Sequence, residues 1–130
     1  MSLTDKARRL VDAPNLAFLA TLDENGWPHV SAVWIDRAGD TLQVNTAVGR
    51  VKDRNMRRDE RVGVSIVSAD DPYDRVTIRA RVAEIDESAE ASRHVDRLTR
   101  KYTEHEDYPW HKPHERRVVF RLEPVQVADR

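Results

Sequence analysis

Asn45-Thr46-Ala47-Val48-Gly49-Arg50-Val51-Lys52-Asp53-Arg54-Asn55-Met56-Arg57-Arg58-Asp59 is the stretch where the hydrophobic pattern of this chain changes period. Residues 41–46 alternate as a strand does, whereas the spacing from Arg50 to Asp59 is helical. A strand ending in small and polar residues therefore feeds, through Gly49, a helix whose first turn carries Arg50 and Lys52. The first N–H groups of a helix lack internal partners, and two cations beside them describe a phosphate site. Asn55, three residues beyond Lys52, falls on the same helical face and can donate a further hydrogen bond. The same spacing also describes a solvated charged helix paired with Asp53, Asp59 and Glu60, and the pattern alone does not choose between the two.

Outward from this segment, short strands dominate. Residues 16–22 form a nearly unbroken apolar run, read as a strand buried on both sides. Asn25-Gly26 marks a hairpin turn into a second strand over 28–35, in which Val30, Ala32 and Trp34 alternate with His29, Ser31 and Val33. Ala38, Gly39 and Asp40 make the next turn. Further strands are predicted over 61–67, 75–85 and 116–127. Thr4 caps an amphipathic helix over 4–12, and Ser88 caps another running to about Lys101. Six strands with two or three peripheral helices and short hairpins predict a mainly β (α+β) fold, an antiparallel barrel in one domain over 1–130.

Composition narrows the chemistry. The 130 residues contain no cysteine, which excludes disulfides, thiolate metal sites and cysteine nucleophiles, and the expected setting is a reducing cytoplasm. No apolar run reaches the roughly 18 residues of a membrane span. With 22 Lys plus Arg against 23 Asp plus Glu there is no general field for nucleic acid, so any anion site must be local. Of those cations 18 are arginine and only 4 lysine, which makes Lys52 unusual. Trp27, Trp34 and Trp110 are candidates for stacking on a ligand, and Tyr73, His105, Tyr108, Trp110, His111 and His114 concentrate polar aromatics near two loops, His105 and His111 reading as loop or pocket-rim residues. His105 and His111 lack a third ligand at metal spacing, so no metal site is expected. His29 and Ser31 share a strand face and could be ligand contacts, but from the residues alone they read as surface or internally bonded polar groups. No dinucleotide or Walker motif is present.

The run Leu16-Ala17-Phe18-Leu19-Ala20-Thr21-Leu22, followed by Gly26-Trp27-Pro28-His29-Val30-Ser31-Ala32-Val33-Trp34, resembles the opening of pyridoxamine 5'-phosphate oxidase-like split-barrel proteins. The segment from Arg50 to Val62 is similar to the signature of their coenzyme F420-dependent branch, and the likeness continues through Asp71-Pro72-Tyr73 to Arg116-Arg117-Val118-Val119-Phe120. The resemblance implies a Greek-key split barrel of six strands, a homodimer, and cofactor sites in clefts between subunits. It implies that Arg50, Lys52 and Asn55 hold the cofactor's phosphate end. It further implies that His29, Ser31, Ala32, Asn45, Thr46 and Val51 lie along the ring and its side chain, and that Tyr73 and Arg75 approach from a neighbouring loop. Val51 between Arg50 and Lys52 favours the deazaflavin F420 over FMN, and hence hydride exchange with a small conjugated substrate. No catalytic side chain is singled out. An FMN-dependent oxidase or reductase and a non-catalytic cofactor- or tetrapyrrole-binding module stand as alternatives.

Overall fold

The computed structural model describes residues 1–129. Its elements, in chain order, are α1 (Asp5–Asp12), β1 (Ala17–Leu22), β2 (Pro28–Val33), β3 (Asp36–Ala38), β4 (Thr41–Ala47), α2 (Val51–Arg58), β5 (Arg61–Val67), β6 (Arg75–Asp86), α3 (Ala89–Tyr102) and β7 (Arg117–Ala128). The Thr4 hydroxyl accepts from the Ala7 N–H and the Ser88 hydroxyl from the Glu90 N–H, so both predicted caps form. The strands make one antiparallel sheet in the order β2-β1-β5-β6-β7-β4-β3. β6 and β7 are its long spine of 12 residues each, and register shifts at Arg79/Ala80 and Val82/Glu84 bend the sheet around its core. That core is aliphatic apart from Phe120, with Leu10, Leu19, Ile35, Leu42, Ile66, Ile78 and Leu122 buried around it.

Two expectations need correction. The described residues hold seven strands rather than six, and the ladder does not close, because β2 and β3 are unpaired outer edges of one open sheet. The expected second strand breaks after Val33, and its continuation pairs with β4 at the opposite edge. The break is stabilised by α3. Trp34 stacks on Tyr102 with ring centroids 5.5 Å apart, the Ile35 N–H donates to the Tyr102 hydroxyl at 3.2 Å, and the Ile35 carbonyl accepts from Lys101 Nζ at 2.5 Å. Side chains of α3 thus replace the ladder hydrogen bonds that Ile35 would otherwise need as the chain passes from one sheet edge to the other. The second correction concerns β1, which is covered on one face only: Phe18 is 42% exposed, and Leu16, just before the strand, 47%.

The crossover makes Tyr102 structurally demanding, since its hydroxyl also donates to the Asn15 carbonyl at 2.7 Å. Tyr102→Phe is expected to lower stability by about 1–3 kcal/mol, the usual consequence of leaving buried partners unsatisfied, as read by urea denaturation.

Candidate functional site

Helix α2 packs against both β1 and β4, which lie far apart in the sheet, and so spans the gap between the two sheet edges. Gly49 precedes it at φ +96°, a conformation open to glycine, and its N–H donates to Asp53 Oδ2 at 2.8 Å. Asp53 is in turn held by Arg57 at 2.7 Å. The N-cap residue Arg50 makes no side-chain cap, so the first turn of α2 keeps its N–H groups available.

Two cavities meet at this helix start. One, of about 290 Å³, is lined by Ala32, Trp34, Asn45, Thr46, Arg50, Lys52, Tyr108, Trp110 and Arg117 together with aliphatic side chains. The other, of about 410 Å³, is lined by His29, Ser31, Gly49, Arg50, Val51, Lys52 and Arg54. Arg50 and Lys52 belong to both. β2, β4 and α2 therefore bring together His29, Ser31, Ala32, Asn45, Thr46, Arg50, Val51 and Lys52.

Three expected residues stand apart from both cavities. Asn55 is buried and donates to Thr21 Oγ1 at 3.0 Å while accepting from Arg58 at 3.0 Å, so its amide fastens α2 to β1. Tyr73, 81% exposed, and Arg75 lie at the β5–β6 turn and line neither cavity.

The electrostatics are lopsided. Arg50 lies 3.7 Å from Glu115, and Arg117, only 8% exposed, lies 3.2 Å from the same carboxylate. Lys52 is half-buried, and among the described residues it has no hydrogen-bond or salt-bridge partner. Burial, followed by repulsion from Arg50 and Arg117, pushes its ammonium below the ordinary lysine value. Burial alone would raise the Glu115 carboxyl, but Arg117, the Lys112 N–H and His111 outweigh it and hold it below the usual carboxylate value. Beside these cations, His29 Nδ1, Ser31 Oγ and Thr46 Oγ1 are buried and have no hydrogen-bond partner among the described residues. Orphaned polar atoms in a cavity wall are costly unless a ligand completes them. An anionic ligand with hydrogen-bonding groups along its length suits both sets of atoms.

An aromatic wall faces the cations. Tyr108 meets Trp34, Trp110 and His111 edge-on at 6.4, 5.5 and 4.9 Å, and Arg117 lies over the Tyr108 ring at 5.0 Å. Trp34 and Trp110 are thus placed at the cavity, whereas Trp27 is largely exposed away from it. Arg117 was not among the expected site residues. Its signal was an arginine beginning the apolar run Val118-Val119-Phe120, where strand burial would draw it inward. Among the described residues no cluster of three or more His, Asp or Glu side chains is placed to hold a metal ion.

The family model described as pyridoxamine 5'-phosphate oxidase matches residues 3–130. This chain belongs to that family. Family membership supports an oxidoreductase or flavin-binding role at the coarse level. No curated relative matches the chain. Among solved structures, one described as an F420 reductase superposes with a TM-score of 0.84 at 23% identity, covering 98% of this chain and 100% of the other. A conserved hypothetical protein from Mycobacterium tuberculosis matches with a TM-score of 0.74 at 23% identity, covering 98% and 84%. A Listeria innocua protein provisionally described as a pyridoxamine 5'-phosphate oxidase matches at 0.72 and 20% identity, covering 96% and 95%. At these identities the likeness shows the fold. No helix among the described residues is long and apolar enough to cross a membrane.

Two substitutions separate the roles on α2. Lys52→Met should raise the thermal stability of the ligand-free protein, because a repelled, half-buried charge is removed. The wild-type penalty is present at neutral pH and fades as pH rises from the depressed folded value towards the unfolded value of 10.5, so the gain from Lys52→Met shrinks over that window. Asn55→Ala, in contrast, should lower stability by about 1–3 kcal/mol. Denaturation curves at several pH values check both.

Proposed function

We propose that this protein is an F420-dependent oxidoreductase that exchanges hydride with a small conjugated organic substrate. The observation that carries the reading is Lys52, half-buried and unpartnered beside Arg50 and Arg117 at the open start of α2. A phosphate-bearing tail fits that position, since free N–H groups and fixed cations together favour bound anions. His29 Nδ1, Ser31 Oγ and Thr46 Oγ1 would supply hydrogen bonds to the remainder of the cofactor. Hydride exchange with an electron-poor acceptor is the chemistry a deazaflavin supplies when bound. The chain's own residues bind, orient and exclude water: Arg50 and Lys52 hold the tail, Ser31 and Thr46 set the ring's placement, and Trp34, Tyr108 and Trp110 wall off solvent. The F420 reductase of the same architecture makes F420 the first cofactor to test. The family's description supports a second reading, an FMN-dependent oxidase of the pyridoxamine type.

A homodimer is part of the proposal. The exposed face of β1 and β2 carries Leu16, Phe18 and Val30, the last 61% exposed, and a second copy covering it would remove an apolar surface from water. Tyr73 and Arg75, remote from the cavities of their own chain, would then be free to serve the partner's.

Fluorescence titration decides between the cofactors. F420 should bind more tightly than FMN, and Lys52→Ala should weaken F420 binding by about 1.5–3 kcal/mol, the range for a charge-assisted hydrogen bond. Tighter binding of FMN with hydrogen peroxide formed in air supports the second reading instead. Sedimentation at low micromolar concentration should show a dimer, and a monomer with full cofactor affinity contradicts the shared site.

A further inference from the structure

Beside the cavity runs a row of part-buried hydrogen bonds that ends at Arg117. It begins at His94 on α3, whose side chain has no exposed surface. His94 Nε2 lies 2.8 Å from Asp36 Oδ1, and His94 Nδ1 lies 3.1 Å from the Asn45 amide nitrogen. An amide nitrogen only donates, so Nδ1 must accept and the ring proton resides on Nε2, where the Asp36 carboxylate receives it. The Asn45 amide nitrogen also donates to the Ala91 carbonyl at 2.9 Å, and Asn45 Oδ1 accepts from Arg117 Nε at 2.9 Å. A flipped Asn45 would face oxygen to the Ala91 carbonyl and N–H to Arg117 Nε–H. Its orientation is therefore set by three neighbours, and it sets that of Arg117 in turn.

We propose that His94 is a positioning residue which, acting through Asn45, fixes the direction of the Arg117 guanidinium in the cavity wall. Arg117 is long and rotamer-rich, and ordering it on ligand binding would cost affinity. Its other contacts are Glu115, 3.2 Å from a terminal nitrogen, and the Tyr108 ring, and a turn of the guanidinium further onto Glu115 would withdraw its charge from the cavity. The Nε bond to Asn45 opposes that turn. The row thus keeps a permanently charged group presented to the anionic or electron-rich edge of the ligand. This role rests on the cavity being the cofactor site.

The two ring nitrogens of His94 can be replaced separately. In His94→Asn the side-chain oxygen takes the place of Nδ1 and keeps the Asn45 contact. In His94→Gln the longer amide takes the place of Nε2, keeping Asp36 but losing Asn45. The Arg117 Nε–H signal in nitrogen-15 NMR of ligand-free protein reads the row directly, because a bonded, buried Nε–H exchanges slowly. We expect that signal to persist in His94→Asn and to vanish in His94→Gln. Affinity for F420, and for FMN as the second probe, should stay near wild type in the first and fall about fivefold to tenfold in the second, the loss of one hydrogen bond's worth of preorganisation. Arg117→Lys keeps the charge without Nε and empties no core, so it should lose affinity like His94→Gln. Equal signals and equal affinities in both His94 variants overturn the proposal, as does Arg117→Lys binding like wild type. Wild-type protein that takes up neither cofactor refutes the cofactor site, while the Arg117 signal, which needs no ligand, separately decides whether His94 positions Arg117.

Discussion

Arg50 and Arg117 share one buried carboxylate, that of Glu115, while Lys52 lies beside them without a partner among the described residues, and this uncompensated positive charge is the constraint on which the site depends. A fold optimised for stability alone would pair Lys52 or replace it. Here burial and two neighbouring guanidiniums destabilise its charge, and the surrounding structure holds the arrangement in place. Asp53 is tied to Gly49 and Arg57, Asn55 to Thr21, and Arg117 to Asn45. On the proposed reading, an anion bound among these groups would offset the cost of burying Lys52, so the same atoms that lower stability would favour binding.

The sheet is organised to create this meeting point. β2 and β4 belong to opposite ends of the strand order, and only the chain crossing at Trp34 and Ile35 and the span of α2 bring their side chains to one cleft. The crossing relies on Lys101 and Tyr102, whose polar atoms reach the backbone of Ile35. Burial pushes the Tyr102 hydroxyl up to about 12, in keeping with a group that works as a neutral hydrogen-bonding post. The long β6 and β7, bent by their bulges, form the spine of the sheet, and Arg117 enters the site from the first residue of β7.

Much of this is legible in the sequence because local rules govern it. The caps at Thr4 and Ser88, the turn at Asn25-Gly26 and the change of period at Gly49 each follow from short-range chemistry. What is not legible depends on distant partners. Helical spacing places Asn55 beside Lys52, yet the presence of Thr21 across the α2–β1 contact turns its amide inward. An apolar run at residues 16–22 does not reveal that one face of β1 lacks cover within the chain. The alternation over residues 28–35 hides a break that only the side chains of α3 make tolerable. Arg117 is visible in sequence as the charge that opens an apolar run, but its destination depends on Asn45, 72 residues away.

The central claim is that the start of α2 is built for a phosphate-bearing tail. The most direct test compares the affinity of the protein for F420 with its affinity for the same deazaflavin ring stripped of that tail, each at low and high salt. The account predicts that the tail contributes tenfold or more, about 1.4 kcal/mol, and that the difference narrows as salt screens the partly exposed charges. Equal affinities for the two compounds at both salt concentrations would contradict it.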